Sequence, residues 1–309
     1  PSLYKLLELS NDIKDIRCDI RDYQALKKIV SNEKPEIIIH MAAQPLVRKS
    51  YQEPLLTYET NVNGTVNLLE SARNLESLKL IVVVTSDKCY KNLNSDYSYL
   101  EDDALGGNDP YSSSKACAEI VTSAYRNSFF DINNVGVATV RAGNVIGGGD
   151  WSEDRLIPDA IDAFSKQEDL VIRYPHARRP WQHVFEPITG YLLLCQRMFS
   201  NPSKFSGAWN FGPDKMNNQT VESIANKLIT LWGHNVKWKK FEDDLFHEDL
   251  LLDLNSDKSR KELHWYPVWN WEIALEKTVN WYKEYYFGDS SKIISYSKNQ
   301  ILSFINEDY

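Results

Sequence analysis

The stretch LKLIVVVTS, residues 78–86, is a short, β-branched and almost unbroken apolar run that ends in two small polar residues. Two similar runs lie on either side of it along the chain, EIIIH at 36–40 and VGVATVRAG at 135–143. Strands with one solvated face alternate apolar and polar side chains, whereas these runs are apolar throughout. The three runs therefore predict strands that are buried on both faces, as in a parallel sheet.

Helical stretches separate these predicted strands. The segments LLTYETNVNGTVNLLESARN (55–74) and YSSSKACAEIVTSAYRNSFF (111–130) each have the length and composition of a helix. Strands that alternate with helices predict an α/β fold with a doubly wound, Rossmann-like parallel sheet.

The amino-acid composition of the chain changes after about residue 145, where Gly, Pro, Trp and Arg become frequent. Further on, residues 220–232 and 271–287 have the pattern of amphipathic helices. We therefore expect a Rossmann-like domain at residues 1–150, to which a segment at about 183–200 returns. Residues 151–309 would form mainly a smaller C-terminal lobe that binds substrate.

Composition excludes several classes of function. The 309 residues are 42% hydrophobic and 25% charged, which is typical of a globular protein, and no apolar run is long enough to span a bilayer. A net charge of −8 argues against a nucleic-acid or anionic-membrane surface. The histidines lack metal-ligand spacing, so no metal site is expected. The cysteines lack a CxxC pair and indicate a reducing cytoplasm; they are Cys18, Cys89, Cys117 and Cys195.

Small or polar residues follow each of the three predicted strands. They are MAAQ after the first, TSDKCY after the second and AGNVIGGGDW after the third. Ligands bind at the carboxyl ends of strands in open parallel sheets, so these three segments predict one shared site.

Tyr111 and Lys115 lie four residues apart on the second predicted helix, hence on one face of it. A phenol has a reference pKa of about 10, and a nearby ammonium lowers that pKa by favouring the phenolate. Tyr111 could then accept a proton from a substrate hydroxyl. Taken alone, a Tyr and a Lys at this spacing are usually an ordinary pair on a helix surface. The neighbouring motifs therefore decide whether the pair is functional.

The context resembles a known family. The YxxxK pair, placed 25 residues beyond Ser86, resembles the signature of short-chain dehydrogenases/reductases, and HMAAQ (40–44) resembles their cofactor-contacting loop. Several longer motifs together resemble the CDP-glucose 4,6-dehydratases of the extended branch: VTSDKCY, DPYSSSKACAE, VRAGNVIGGGDW, DRLIPD, RPWQHVFEP and WNFGP. Most related 4,6-dehydratases have Thr-Asp-Glu at the second strand end, whereas this chain has Ser86, Asp87 and Lys88.

The resemblance implies a lyase that oxidises C4 of the sugar with NAD, removes water across C5–C6 and returns the hydride to C6. Tyr111 would deprotonate the C4 hydroxyl, and Ser86 would hydrogen-bond the same oxygen. Asp87 would protonate the departing C6 hydroxyl, which requires a buried carboxyl with a raised pKa. Lys88 would be the C5 base or would instead stabilise the enolate. Lys115 would also bind a ribose hydroxyl.

The resemblance also assigns binding residues. The expected NAD contacts, besides Tyr111 and Lys115, are Asp19, Ile20, Ala42, Ala43, Gln44 and Asn61. The expected CDP-glucose contacts are Asn144, Arg155, Arg173, Arg179 and His247. Arginines suit a diphosphate because their forked donors bind its oxygens in pairs.

The glycine-rich loop that normally holds a dinucleotide pyrophosphate is missing, and GGGD (147–150) is in the wrong context to replace it. The family would place that loop upstream of Pro1. We therefore expect the native protein to be longer by a strand, a helix and a second strand.

Three alternatives remain open from the sequence. The chain could be a nucleotide-sugar epimerase, a dehydratase for another nucleotide, or a truncated, non-catalytic nucleotide-binding homologue. Asp87 and Lys88 favour dehydration, since epimerases need no such pair for a C5–C6 elimination. By resemblance, we expect a homodimer or a higher homo-oligomer.

Overall fold

The computed structural model describes residues 1–233, 236–241 and 251–307. Its strands are β1 Ile37–His40, β2 Leu80–Val84, β3 Ser98–Tyr99, β4 Gly136–Ala142, β5 Asn144–Ile146, β6 Leu170–Ile172, β7 Arg178–His183, β8 Gly207–Phe211, β9 Asn218–Thr220, β10 Trp238–Lys240 and β11 Asp253–Leu254. Its helices are α1 Leu3–Leu6, α2 Tyr23–Glu33, α3 Val47–Gln52, α4 Pro54–Tyr58, α5 Gly64–Ala72, α6 Pro110–Tyr125, α7 Leu156–Ser165, α8 Phe185–Ser200, α9 Pro202–Phe205, α10 Val221–Trp232, α11 Trp271–Phe287 and α12 Ile293–Glu307.

The main sheet has four parallel strands in the order β1–β2–β4–β8, which confirms the predicted α/β fold. Alternate side chains of β2 enter two different cores. Ile81 and Val83 pack with α5 and the chain that follows α6, whereas Leu80 and Val82 pack with α8. The run at 78–86 is apolar throughout because both faces of its strand are covered.

The edge strand β1 departs from that rule. Its residues Ile37 and Ile39 are 42% and 38% exposed, although their sequence matches a strand buried on both faces. Among the described residues, β1 pairs with β2 alone and is the edge of the sheet. Strands are therefore fully buried only toward the centre of the sheet.

Two elements from beyond residue 150 complete the main sheet and its cover. Strand β8 pairs with β4, placing Trp209 beside Val140, and Trp209 is fully buried. Helix α8 packs on β2 and β4. None of the strands predicted above corresponds to 207–211, where the short run GAWNF contains Asn210 among apolar residues. The division of the chain at residue 150 stays a prediction.

A second core lies among α7, α10, α11 and the strands β5, β6 and β7. Two helices predicted from amphipathic pattern, at 220–232 and 271–287, are present as α10 and α11. Short sheets complete this region, with the pairings β5–β7–β9, β6–β10 and β3–β11. These elements stand over the carboxyl ends of the main strands and close one side of the cavity described below.

Both long predicted helices contain a π-helical segment. The helix expected at 55–74 consists of α4, a π-helical stretch Glu59–Asn63 and α5, and α6 continues into a second such stretch, Arg126–Phe130. Such segments often occur at functional sites, because they shift the direction of the side chains that follow. Within the described ranges, no helix is long and apolar enough to cross a membrane.

Candidate active site

A cavity of about 510 Å³ lies at the carboxyl ends of β2 and β4. Its lining includes eight residues that the sequence predicted for the site: Ser86, Asp87, Lys88, Tyr111, Asn144, Arg155, Arg173 and Arg179. Segments far apart in the chain therefore meet at one edge of the sheet, as expected for parallel strands. Other predicted residues lie outside this lining: Asp19, Ile20, Ala42, Ala43, Gln44, Asn61 and Lys115. The predicted contact His247 lies outside the described residues.

Residues 86–88, called here the 86–88 segment, form a tight turn at the end of β2. Ser86 Oγ accepts a hydrogen bond from the Lys88 amide at 3.2 Å and donates one to Asp87 Oδ1 at 2.9 Å. The turn itself is a single 3₁₀ turn, Asp87–Cys89. One hydroxyl therefore fixes both the backbone of the turn and the orientation of the carboxyl group.

Asp87 is 3% exposed, and its burial raises the pKa of the carboxyl group. The positive charges of Lys88 and Arg179 and the hydrogen bond from Ser86 oppose this effect but do not cancel it. Within the part of the chain that the structure describes, Asp87 Oδ2 has no hydrogen-bond partner. The predicted buried carboxyl with a raised pKa is confirmed, and the shift favours its protonated form.

The pKa of Tyr111 is raised to about 12, chiefly by burial, with Ser86 acting in the opposite direction. The lowering expected from a neighbouring ammonium is therefore wrong for this structure. Lys115 Nζ instead donates to the Val84 carbonyl at 3.1 Å, behind the cavity. Burial also lowers the pKa of Lys115 to about 8, although the negative charge of Glu119 raises it.

The three serines between Tyr111 and Lys115 attach α6 to its surroundings. Ser112 belongs to the helix cap, since its amide and its hydroxyl both donate to the Asp109 carboxylate. Ser113 Oγ shares a hydrogen bond of 2.6 Å with the Tyr58 hydroxyl. Ser114 Oγ accepts from Asn61 Nδ2 at 2.9 Å. The helix that bears Tyr111 is thereby tied to α4 and the π-helical stretch.

Asn61 and Gln44 hold the loop that follows β1. Asn61 Oδ1 accepts from the Gln44 amide at 2.7 Å, and its Nδ2 donates to the Gln44 carbonyl at 3.1 Å. The Gln44 side chain bonds Thr57 and the backbone of Leu46. Both side chains thus shape the loop, while Met41 and Pro45 on either side of Ala42 and Ala43 reach the cavity.

Asp19 and Ile20 lie beside the start of α5. Asp19 is exposed, and its ion pair with Arg21 lowers its pKa to about 2. Ile20 packs against Gly64, where an added Cβ would come within 2.7 Å of the Ile20 side chain. Glycine is therefore required at residue 64 for this close approach, which sets the position of the Asp19–Ile20 pair against the helix.

The arginines form a cationic region in the rest of the cavity. Arg173 donates to Asp154 at 2.7 Å, Arg155 pairs with Asp150 at 3.4 Å, and Arg179 is buried. Acidic side chains therefore neutralise part of the cluster, and they come from the preceding loop rather than from the arginine-rich segment itself.

Arg48, on α3, also lines this region and lies 3.7 Å from Asp154. Sequence reasoning missed it, although its position directly after the HMAAQ loop was an available signal. The wall formed by Pro187, Ile188 and Tyr191 of α8 was missed as well. These are ordinary helix residues, and no pattern in the sequence distinguishes them from core positions.

A family model described as GDP-mannose 4,6 dehydratase matches residues 2–278. The chain belongs to this family. It is 46% identical over 300 residues to a CDP-glucose 4,6-dehydratase of Salmonella typhimurium, covering 96% of this chain and 84% of that protein. The resemblance inferred from the motifs is therefore confirmed.

Solved structures agree with this fold. One is DesIV, a dTDP-glucose 4,6-dehydratase from Streptomyces venezuelae with NAD and a second ligand bound. It superposes with a TM-score of 0.75 at 25% identity, over 87% of this chain and 79% of that one. A UDP-glucuronic acid 4-epimerase from Bacillus cereus, in complex with UDP-glucuronic acid and NAD, has a TM-score of 0.78 at 19% identity, over 91% and 85%. The second likeness concerns the fold alone.

Proposed function

We propose that this chain is an NAD-dependent lyase that converts CDP-glucose to CDP-4-keto-6-deoxyglucose. The observation that carries the proposal is the meeting of Tyr111, the 86–88 segment and several arginines around one cavity. The 46% identity to a CDP-glucose 4,6-dehydratase supports the choice of cytidine nucleotide.

Tyr111 and Ser86 act on the C4 hydroxyl of the sugar. Ser86 hydrogen-bonds the oxygen, and Tyr111 takes its proton as the hydroxyl becomes a ketone. Because burial favours the neutral phenol, ionisation of Tyr111 depends on cations around it, and Arg155 already acts in this direction. Lys115 connects α6 to the end of β2 through its hydrogen bond to the Val84 carbonyl. It also binds a ribose hydroxyl of the cofactor.

Asp87 and Lys88 act on the elimination of water. The C4 ketone acidifies the C5 proton, which Lys88 removes, or whose loss Lys88 favours by stabilising the enolate charge. Asp87 gives its proton to the C6 oxygen, so that the C6–O bond breaks and water leaves. Its raised pKa favours the protonated form that this step needs.

NAD, when bound, supplies the acceptor for the C4 hydride and the donor that reduces C6. The residues present fit its nicotinamide half: Met41, Pro45, Pro187 and Ile188 give an apolar wall to the same cavity as Tyr111. Asn61 and Gln44 keep the loop after β1 in the shape that presents this wall. Asp19 and Ile20 are the proposed contacts of the adenine end.

Arginines recognise the other end of the substrate. Arg155, Arg173 and Arg179 bind the diphosphate, Arg48 extends the same cationic region, and Asn144 binds the sugar or a phosphate. His247 remains a proposed nucleotide contact. We further propose a cytoplasmic, homo-oligomeric enzyme whose product serves the synthesis of a surface polysaccharide.

The test is incubation of the purified full-length protein with NAD and CDP-glucose, following the 4-keto-6-deoxy product by its absorbance in alkali. GDP-mannose, dTDP-glucose and UDP-glucuronic acid are run in parallel, with Tyr111→Phe as the inactive control. Product from CDP-glucose alone supports the proposal. Product only from another nucleotide sugar would overturn the substrate, and a C4 epimer without keto sugar would overturn the reaction.

A further inference from the structure

A buried ion pair lies beneath the cavity and takes no part in the chemistry proposed above. Arg141 of β4 binds Glu119 of α6 through two parallel hydrogen bonds, Nε to Oε1 and Nη2 to Oε2, each 2.8 Å long. Both side chains are 3% exposed. Thr85 Oγ1 donates to Oε1 and Thr139 Oγ1 donates to Oε2 at 2.6 Å. Both carboxylate oxygens are therefore fully engaged, as a buried charge requires.

The same pair holds both ends of the 86–88 segment. On one side, Thr85 directly precedes the segment and bonds Glu119. On the other side, Tyr90 follows it, and the Tyr90 hydroxyl accepts from Arg141 Nη1 at 2.7 Å. The Arg141 guanidinium also lies over the Tyr90 ring, 4.8 Å from its centroid. The turn that carries Asp87 is thus fixed before and after by two partners of one ion pair.

One member of the pair, Glu119, is part of the helix that carries the proton acceptor. Glu119 lies one helical turn beyond Lys115 and two turns beyond Tyr111, on the same face of α6. The 86–88 segment is therefore joined to α6 through the side chains of Glu119 and Arg141.

We propose that Glu119 and Arg141 form a positioning pair that sets the 86–88 segment in register with Tyr111 and Lys115. This inference rests on the proposed dehydratase function. Neither residue touches the cavity; both act through Thr85, Tyr90 and the helix. A buried pair that only stabilised the fold would not need partners on both sides of one catalytic turn.

Glu119 has a second, electrostatic effect on Lys115. Cys89 and Glu119 both face Lys115, but burial raises the pKa of the Cys89 thiol, so the Glu119 carboxylate is the charge that favours the Lys115 ammonium, while burial favours the neutral amine. Loss of the Glu119 charge would leave burial less opposed, so Lys115 would lose its proton at lower pH. Activity that needs the ammonium would then decline earlier as the pH rises.

Two matched substitutions separate positioning from stability. Thr85→Val and Thr139→Val each remove one buried hydroxyl from one oxygen of Glu119. Only Thr85 adjoins the catalytic turn, and Thr85 also lines the cavity. We expect Thr85→Val to lower kcat about 10- to 100-fold with little change in KM, as small misplacements of catalytic groups do. Thr139→Val should leave kcat essentially unchanged at a similar loss of thermal stability. Tyr90→Phe tests the other end of the turn at a residue outside the cavity lining, and it should lower kcat as Thr85→Val does.

The charge effect is read without substrate, by NMR titration of labelled Lys115 in the wild type and in Glu119→Gln. The Lys115 titration should move to lower pH in the variant; if Glu119→Gln does not fold, Thr85→Val and Tyr90→Phe still decide the positioning role. Equal kcat losses in Thr85→Val and Thr139→Val, or an unmoved Lys115 titration, would overturn the inference. A wild type that titrates as expected but does not turn over CDP-glucose would instead refute the proposed function.

Discussion

Asp87→Asn is the substitution that isolates the acid step. Asparagine keeps the shape of the side chain, and its carbonyl oxygen can still accept the hydrogen bond that Ser86 donates to Asp87 Oδ1. What it loses is the carboxyl proton, which the raised pKa of Asp87 favours. The change therefore removes the proton donor for the C6 hydroxyl and leaves the groups that act on C4 untouched.

The size of the effect follows from this role. General acid catalysis contributes about 10²- to 10⁴-fold, which corresponds to about 3–5 kcal/mol of the elimination barrier. We expect overall turnover to fall by that factor while C4 oxidation keeps its rate. Reduced nicotinamide should then accumulate during a single turnover, because the hydride has no C6 acceptor.

Whereas Asp87→Asn should lower turnover, it should raise the thermal stability of the protein at alkaline pH. The pKa of Asp87 is higher in the folded protein than in the unfolded chain, so its protonated form favours folding. This contribution is complete below the unfolded pKa of about 3.9 and is lost as the pH rises through the folded pKa. At alkaline pH the variant, which carries no charge there, should therefore unfold at a higher temperature than the wild type. The two should converge in acid.

The assay is stopped-flow absorbance of reduced nicotinamide with quenched product analysis, combined with thermal unfolding across pH. Glu101→Gln is the control, because Glu101 is another carboxyl whose pKa burial raises, although it is only partly buried, and it does not line the cavity. Elimination at the wild-type rate in Asp87→Asn would refute the acid role. Equal losses in both variants would show that the effect is one of general destabilisation.

Three further outcomes are expected. Tyr111→Phe should abolish C4 oxidation, so that no reduced nicotinamide forms in a single turnover. Lys88→Ala should allow oxidation and block elimination, with reduced cofactor trapped; elimination at the normal rate would disprove its role as base. Gly190→Ala should cost about 1–3 kcal/mol in chemical denaturation, since its added Cβ would lie 2.4 Å from the Phe211 ring. Leu192→Ala, at an exposed position on the same helix, is its control and should change stability little.

The sequence predicted two parts of the site, one from local geometry and one, with Asn144, Arg155, Arg173 and Arg179, from the family resemblance. The 86–88 segment follows an apolar strand, and Tyr111 and Lys115 are one helical turn apart, so backbone periodicity alone places each of them. Their meeting follows from the parallel sheet, whose strand ends share one edge. The raised pKa of Asp87 was predictable because its proposed role requires burial.

The rest depends on contacts between distant segments. The pKa of Tyr111 could not be read from the spacing to Lys115, because the ammonium is held by the Val84 carbonyl and burial dominates. Arg48 and the α8 wall enter the cavity only through the packing of helices on the sheet. The Glu119–Arg141 pair likewise joins residues 22 positions apart, and no local pattern connects them.

Strand β8 gives the chain a particular order of assembly. The innermost strands, β2 and β4, come from the first half of the chain, but β8 and the α8 cover come from residues 185–211. β4 ends at Ala142 and β8 begins at Gly207. During synthesis, the edge of β4 therefore stays unpaired until the chain is some 65 residues longer. Strands so far apart in the sequence pair late in folding. Until they pair, they leave apolar surface exposed to aggregation. A fragment that stops near residue 150 should therefore aggregate rather than fold as an independent half.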